Sequence, residues 1–290
     1  MSIAALALVV LASFIHATWN LLAKQTADAG PAFVFAYTMF CCIVYAPWVV
    51  WVLLHQETIW SLTAIGAIML SGTVHLGYSL CLQRGYQVAD LSVVYPVARG
   101  TGPMLSSIGA FLLLGEAPSM QGILGLAAVV IGIFLISTQG NLAAFRRPGG
   151  QSGIRWGTAT GGLIATYTVV DAYAVKDAGV QPVVLDWCAN IMRFVLLLPY
   201  VAKNRDMALR KMRGKWGLAL AVGVLSPLSY ILVLTALDMG APLSVVAPVR
   251  EMSMMIGALF GMVVLREPVG RWRVIGCLVL AAGVVLLSRS

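Results

Sequence analysis

Apolar residues run through this chain in long stretches, interrupted by short clusters of charge, glycine and proline. Stretches of that length without strict alternation predict helices rather than strands. Ten are expected, at residues 3–22, 33–54, 62–81, 91–114, 122–137, 156–175, 183–201, 216–237, 243–265 and 274–288. Most approach the roughly 20 apolar residues that a helix needs to cross a hydrocarbon layer about 30 Å thick. The pattern predicts an all-α integral membrane protein with ten transmembrane helices.

The runs also repeat. Leu91-Ser-Val-Val-Tyr-Pro-Val-Ala-Arg99 aligns with Leu243-Ser-Val-Val-Ala-Pro-Val-Arg250 after one residue is dropped. Downstream, Leu114-Gly-Glu-Ala-Pro118 answers Leu265-Arg-Glu-Pro268, and Gly132-Ile-Phe-Leu-Ile-Ser137 answers Gly283-Val-Val-Leu-Leu-Ser288. Shared Pro, Arg, Glu and Ser landmarks in one order point to duplication. The expected organisation is a first five-helix repeat at 1–140, a polar linker at 141–155 and a second five-helix repeat at 156–290. Five crossings are an odd number, so the second copy enters the membrane in the opposite sense. Such inverted repeats place a site near the midplane in many secondary transporters.

Composition sharpens this picture. Of 290 residues, 60% are hydrophobic and 10% charged, against about 45–50% and 25% in soluble domains. The formal charge of +8 would suit nucleic acid if it were clustered on one surface, but it lies in short loops, and no nucleic-acid partner is expected. Lys24, Arg84, Arg146, Arg147, Arg155, Lys203, Arg205, Arg210, Lys211, Arg213, Lys215, Arg266, Arg271 and Arg273 follow odd-numbered helices, whereas Lys176 and Arg289 fall on the other side. The positive-inside rule makes the first set cytoplasmic and puts both termini outside. Residues 1–22 lack a basic leader and read as a retained first helix. Cys41, Cys42, Cys81, Cys188 and Cys277 all fall in apolar segments, where cysteine acts as a small hydrophobe; neither disulfides, metal nor any cofactor is expected.

The two-half plan, the Pro96 and Pro248 signatures and the turn at Gly115 to Pro118 resemble the EamA family of the drug/metabolite transporter superfamily. The resemblance covers nearly the whole chain. It implies a secondary transporter of the bacterial inner membrane, often an exporter of amino acids or other small metabolites, with a central cavity between the halves. It also implies cytoplasmic termini, from which the bare 54–60 loop and the basic 201–216 loop depart. Related small multidrug transporters carry an essential carboxylate in the first helix, where this chain has His16 and Asn20.

Ionisable side chains within the hydrocarbon are costly, about 2.5–3.5 kcal/mol on insertion scales, and tend to mark pathways. Arg99, Asp171, Arg193, Arg250 and Glu251 qualify, with His16, His75 and Asp186 behind them. Arg99 and Arg250 occupy matching repeat positions, and a guanidinium fork suits a carboxylate or phosphate. Tyr95 stands one turn before Arg99, and Tyr167 one turn before Asp171. Glu251 and then Asp171 are the candidates for proton coupling, since burial and nearby arginine pull a carboxyl in opposite directions. The substrate-facing set comprises Arg99, Arg250, Tyr95, His16, Trp19, Asn20, His75, Tyr78, Tyr167 and Tyr230. Pro96 and Pro248 withdraw a backbone donor and predict kinks that free the carbonyls of Ser92 and Ser244, either for a ligand or for a neighbouring hydroxyl. Gly157-to-Gly161 and Gly257-to-Gly261 spacing predicts close helix packing. Trp48, Trp51, Trp60, Trp156, Trp216 and Trp272 lie near helix ends, as an aromatic belt requires.

The expected function is secondary transport of a small polar metabolite, an amino acid or organic anion, by alternating access. Partners are the substrate, the lipid bilayer and, as a candidate coupling ion, protons; oligomerisation is not required. Without a GxxxxGK[ST] loop, direct ATP coupling is not expected, nor is an enzyme, for want of HExxH or GxSxG. The alternatives are a proton-coupled exporter of drugs or organic cations and a non-transporting membrane scaffold.

Overall fold

The computed structural model describes residues 1–56, 60–89, 91–147, 149–264 and 270–289. Thirteen α-helices are seen among them: α1 (Ile3–Lys24), α2 (Pro31–His55), α3 (Leu62–Val88), α4 (Leu91–Leu113), α5 (Met120–Thr138), α6 (Ala143–Arg146), α7 (Gly150–Lys176), α8 (Pro182–Lys203), α9 (Arg205–Met212), α10 (Trp216–Asp238), α11 (Leu243–Val249), α12 (Met252–Val264) and α13 (Arg271–Ser288). The expected landmark at 265–268, with Arg266, Glu267 and Pro268, lies outside the described residues, as does Pro148 of the linker.

The starts follow local chemistry. The hydroxyls of Ser2, Ser61 and Ser119 accept from the amides of Ala5, Ala64 and Gly122, at 3.2, 3.0 and 2.9 Å, satisfying donors that a helix N-terminus leaves free. Pro31 and Pro182 open α2 and α8, where a missing N–H costs nothing. The α7 helix begins at Gly150, inside the segment expected to be a polar linker.

Eight stretches are long and apolar enough to cross a membrane: α1, α2, the first part of α3, α5, α8, α10, α13, and the span Leu243–Phe260 that joins α11 to α12. The helices α4 and α7, of 23 and 27 residues, have the length but not the hydropathy. Packing supplies the reason. They lie against each other, and protein rather than lipid surrounds Arg99, Ser106 and Ser107 of α4 and Thr160, Thr168 and Asp171 of α7. A Cβ at Gly157 would come within 2.8 Å of Val97 Cβ, and one at Gly161 within 3.1 Å of the Ala98 carbonyl, so glycine alone allows this approach. By contrast Ile43, Leu112 and Leu278 on the periphery are 61, 78 and 66% exposed, the inverse of a water-soluble surface. Trp48, Trp51, Trp60, Trp216 and Trp272 are also exposed, whereas Trp156 is half-buried.

One expectation needs correction. The ninth helix, predicted as one run at 243–265, is broken at Arg250 and Glu251. Pro248 has no N–H to give Ser244, and the amides of Glu251 and Ser253 turn back to the carbonyls of Pro248 and Arg250, at 3.0 and 3.2 Å. The Ser244 carbonyl receives the Ser107 hydroxyl from α4 at 3.4 Å, so a neighbouring side chain fills the vacancy. At the matching position α4 continues as helix through Pro96 and Pro103.

Candidate functional site

The break between α11 and α12 puts two ionisable residues in succession at the centre of the bundle. Arg250 and Glu251 are 4 and 1% exposed, and Arg99 of α4, at 8%, faces them. Arg99 Nη2 lies 2.9 Å from Glu251 Oε2 and donates to Ser253 Oγ at 3.2 Å. Arg250 Nε is 3.9 Å from Glu251 Oε1, too far for a hydrogen bond. Both Nε and Nη2 of Arg250 are buried with no hydrogen-bond partner in the protein. Its backbone carbonyl is held instead, by Ser13 Oγ of α1 at 3.3 Å.

A second group adjoins the first. Asp171 of α7 is 1% exposed, and its Oδ2 accepts from Tyr230 Oη of α10 and lies 3.2 Å from His75 Nε2 of α3. Its other oxygen, Oδ1, is buried and unpartnered. Tyr167 stacks on the His75 ring with centroids 3.9 Å apart, and Tyr78 and Tyr230 meet Tyr167 edge-on at 5.7 and 6.1 Å. Arg250 is within electrostatic range of Tyr167 and Tyr230, and Arg99 of Tyr78, Tyr95 and Tyr167. The two groups therefore form one buried polar centre in which two guanidinium groups balance two carboxyls.

Most of the expected residues meet here. His16 of α1 is within range of Arg99 and Arg250 and stacks edge-on with Trp19 at 4.8 Å. Trp19 Nε1 donates to Ser229 Oγ at 3.3 Å. Asn20 does not join them: it is exposed and bonds its own helix at the His16 carbonyl, 2.9 Å away. Arg193, half-buried, and the buried Asp186 are linked along α8, with Arg193 Nη2 on Asn190 Oδ1 at 2.5 Å and Asn190 Nδ2 on Asp186 Oδ2 at 3.0 Å, within electrostatic range of His75 and Asp171.

Sequence reasoning missed the hydroxyls of Ser13, Ser229 and Ser253, which nothing distinguishes from other serines in apolar runs. It also treated Glu116 only as a landmark. Gly115 turns the chain with φ +67°, and the Glu116 amide bonds the Ala110 carbonyl at 3.2 Å. The carboxylate then receives the amides of Leu243 and Ser244 at the start of α11, at 2.6 and 2.9 Å, and Lys176 Nζ of α7 at 3.3 Å. Burial raises its pKa, but the Ser244 and Leu243 bonds and Lys176 outweigh that, holding the group below its usual 4.5. Glu116 thus clasps the loop after α4 to the ends of α7 and α11, at one end of the bundle.

Comparison with known proteins gives the family and the fold. Multidrug resistance protein EbrB of Bacillus atrophaeus is 33% identical over 78 residues, 27% of this chain and 62% of its own length. EbrB of Bacillus subtilis (strain 168) is 32% identical over the same shares. The chain therefore spans about three-fifths of the length of these relatives. A protein of known crystal structure shares the fold over 98% of both chains, with a TM-score of 0.72 and 14% identity. The EamA-like transporter family matches residues 3–138 and again 151–289. By that match the chain belongs to the EamA-like transporter family, and it is a bacterial integral membrane protein.

Proposed function

We propose that this transporter is a secondary exporter of a small polar metabolite, an amino-acid-like zwitterion or organic anion. It works by alternating access between two inverted five-helix repeats that together cross the membrane ten times. The observation that carries the reading is a set of buried groups in the centre without hydrogen-bond partners, Arg99 Nε and Glu251 Oε2 among them. Arg250 offers two N–H donors and Asp171 one carboxylate oxygen, all without partners. Leaving buried polar groups unpaired is costly, and a bound molecule with an anionic and a cationic end would satisfy both. With Arg99, Arg250 and Glu251 at most 8% exposed, this arrangement fits an occluded state of the cycle.

Ten crossings are supported by the length and enclosure of α4 and α7. The repeat is supported by reciprocal contacts between α5 and α13. Gly125 meets Gly283, while Gly132, the sequence counterpart of Gly283, meets Gly276. Such an exchange of partners is what a two-fold relation produces.

Reconstituted vesicles assayed for uptake and efflux, with and without a pH gradient, provide the test. Arg99→Ala, Arg250→Ala and Glu251→Gln are each expected to abolish transport that the wild type shows; normal transport by all three overturns the assignment. A second reading, proton-coupled export of drugs or organic cations, is favoured on the drug side by the similarity to a multidrug resistance protein and on the cation side by the ring of His75, Tyr167 and Tyr230 around Asp171, since aromatic faces attract cations. A substrate panel separates the two. Amino acids and carboxylates stimulate counterflow under the first reading, quaternary ammonium compounds under the second.

A further inference from the structure

Away from the centre, the short helix α9 lies across the ends of α8 and α10 and the start of α2. Met212, 2% exposed, pegs it into a small apolar cluster with Ala32, Phe33 and Ala36. Beside α9 lies an apolar groove of about 150 Å³, lined by Phe35, Ala36, Val201, Leu209, Met212 and Trp216, with Arg205 also in its lining. A much smaller hollow adjoins it through Ala32, Val201 and Ala208 and has Lys211 in its lining.

The surroundings are strongly basic. Lys203, Arg205, Arg210, Lys211, Arg213 and Lys215 lie within 13 residues that hold one acid, Asp206. Lys215 is neutralised by Asp28, whose two oxygens it contacts at 2.5 Å. Arg205 has Asp206 at 3.8 Å, with both side chains largely exposed. Exposed apolar side chains flank the groove: Met207 and Leu209 on α9, Tyr200 on α8 and Trp216 on α10. Aromatic and basic residues beside exposed aliphatic ones are the signature of the headgroup level of a bilayer.

We propose that this groove binds one anionic phospholipid, with an acyl chain along the Phe35, Val201 and Leu209 wall and the phosphate held by Arg205 and Lys211. An apolar trench ending in cations complements an amphiphile with a negative head, and an anionic bilayer surface supplies such molecules. The inference needs only membrane residence and is independent of what is transported. The bound lipid would tie α2 to α8 and α10 and stabilise the arrangement described here.

The test uses the full-length protein in neutral detergent, with retained lipid counted by native mass spectrometry and thermal unfolding followed in parallel. Phosphatidylglycerol and phosphatidylcholine of equal chain length are the probes. The wild type is expected to retain one phosphatidylglycerol and gain thermal stability from it, with little response to phosphatidylcholine. Arg205→Ala/Lys211→Ala is expected to weaken phosphatidylglycerol binding about thirtyfold, the effect of two headgroup-level charges. Ala208→Trp, which fills the groove without changing charge, is expected to remove the bound lipid too. Arg84→Ala/Arg155→Ala removes two exposed charges elsewhere and is expected to have no effect. Equal losses in both double variants would mean diffuse attraction and overturn the site, as would undiminished binding by Arg205→Ala/Lys211→Ala.

Discussion

Arg99 of α4 and Glu251 of the broken ninth helix stand 2.9 Å apart, with side chains 10 and 1% exposed. Enclosed charge is tolerated only in company, and removing one member of such a pair costs about 3–5 kcal/mol, whereas replacing both with apolar groups is often neutral. Arg99→Met and Glu251→Leu are each expected to lower the thermal unfolding temperature in detergent, and the double variant to recover most of it. Transport is expected to stay lost in all three, and recovery of transport by the double variant would make the pair a structural tie.

Arg250 leaves two buried donors unused where Arg99 leaves one, its Nε. The Nε and Nη2 of Arg250 have no partner, so Arg250→Lys keeps the charge while discarding the planar fork. Stability is expected to change little and transport to fall at least about tenfold, the size of one lost charged hydrogen bond. Substrate-induced thermal stabilisation, measured on wild type and variant, should fall in step.

Tyr230 and His75 hold one oxygen of Asp171 between them. Tyr230→Phe removes one of those partners with almost no change in volume. Destabilisation of about 1–3 kcal/mol is expected, the cost of leaving a buried acceptor short of one partner. Asp171→Asn/Tyr230→Phe should cost less than the sum of the single changes, as a thermal double-mutant cycle would show.

Glu116 gives a prediction with a pH sign. Its carboxyl is held below the usual 4.5, so its stabilising contribution is complete above about pH 4.5 and fades as pH falls through the lower folded value. Glu116→Gln is therefore expected to be less stable than wild type at neutral pH and to converge with it in acid. Lys176→Met should show a smaller loss, because the Leu243 and Ser244 amides remain bound. Thermal unfolding from pH 3 to pH 8 checks both.

The crossing of α4 and α7 is limited by steric contact. A methyl group at Gly161 would overlap Thr101 Oγ1 and lie 3.1 Å from the Ala98 carbonyl. Gly161→Ala is expected to destabilise by about 1–3 kcal/mol, as overpacking does. Adding Thr101→Ala should restore part of that, read as the shift in unfolding temperature.

The sequence by itself determined the helical, membrane-bound character and the approximate place of every long helix, because hydropathy and turn residues act locally and lipid requires each helix to satisfy its own backbone. It also marked Arg99, Arg250, Glu251, Asp171 and His75, since charge in an apolar run stands out without any knowledge of neighbours. Pairing was decided only in three dimensions. Asp171 took His75 and Tyr230 from α3 and α10, and Glu251 took Arg99 rather than the adjacent Arg250. The break after Pro248 likewise needed Ser107 from another helix to receive the orphaned carbonyl, while Pro96 left α4 unbroken. Propensity is a property of a segment, but whether a buried charge or a freed carbonyl finds a partner depends on groups carried by other helices.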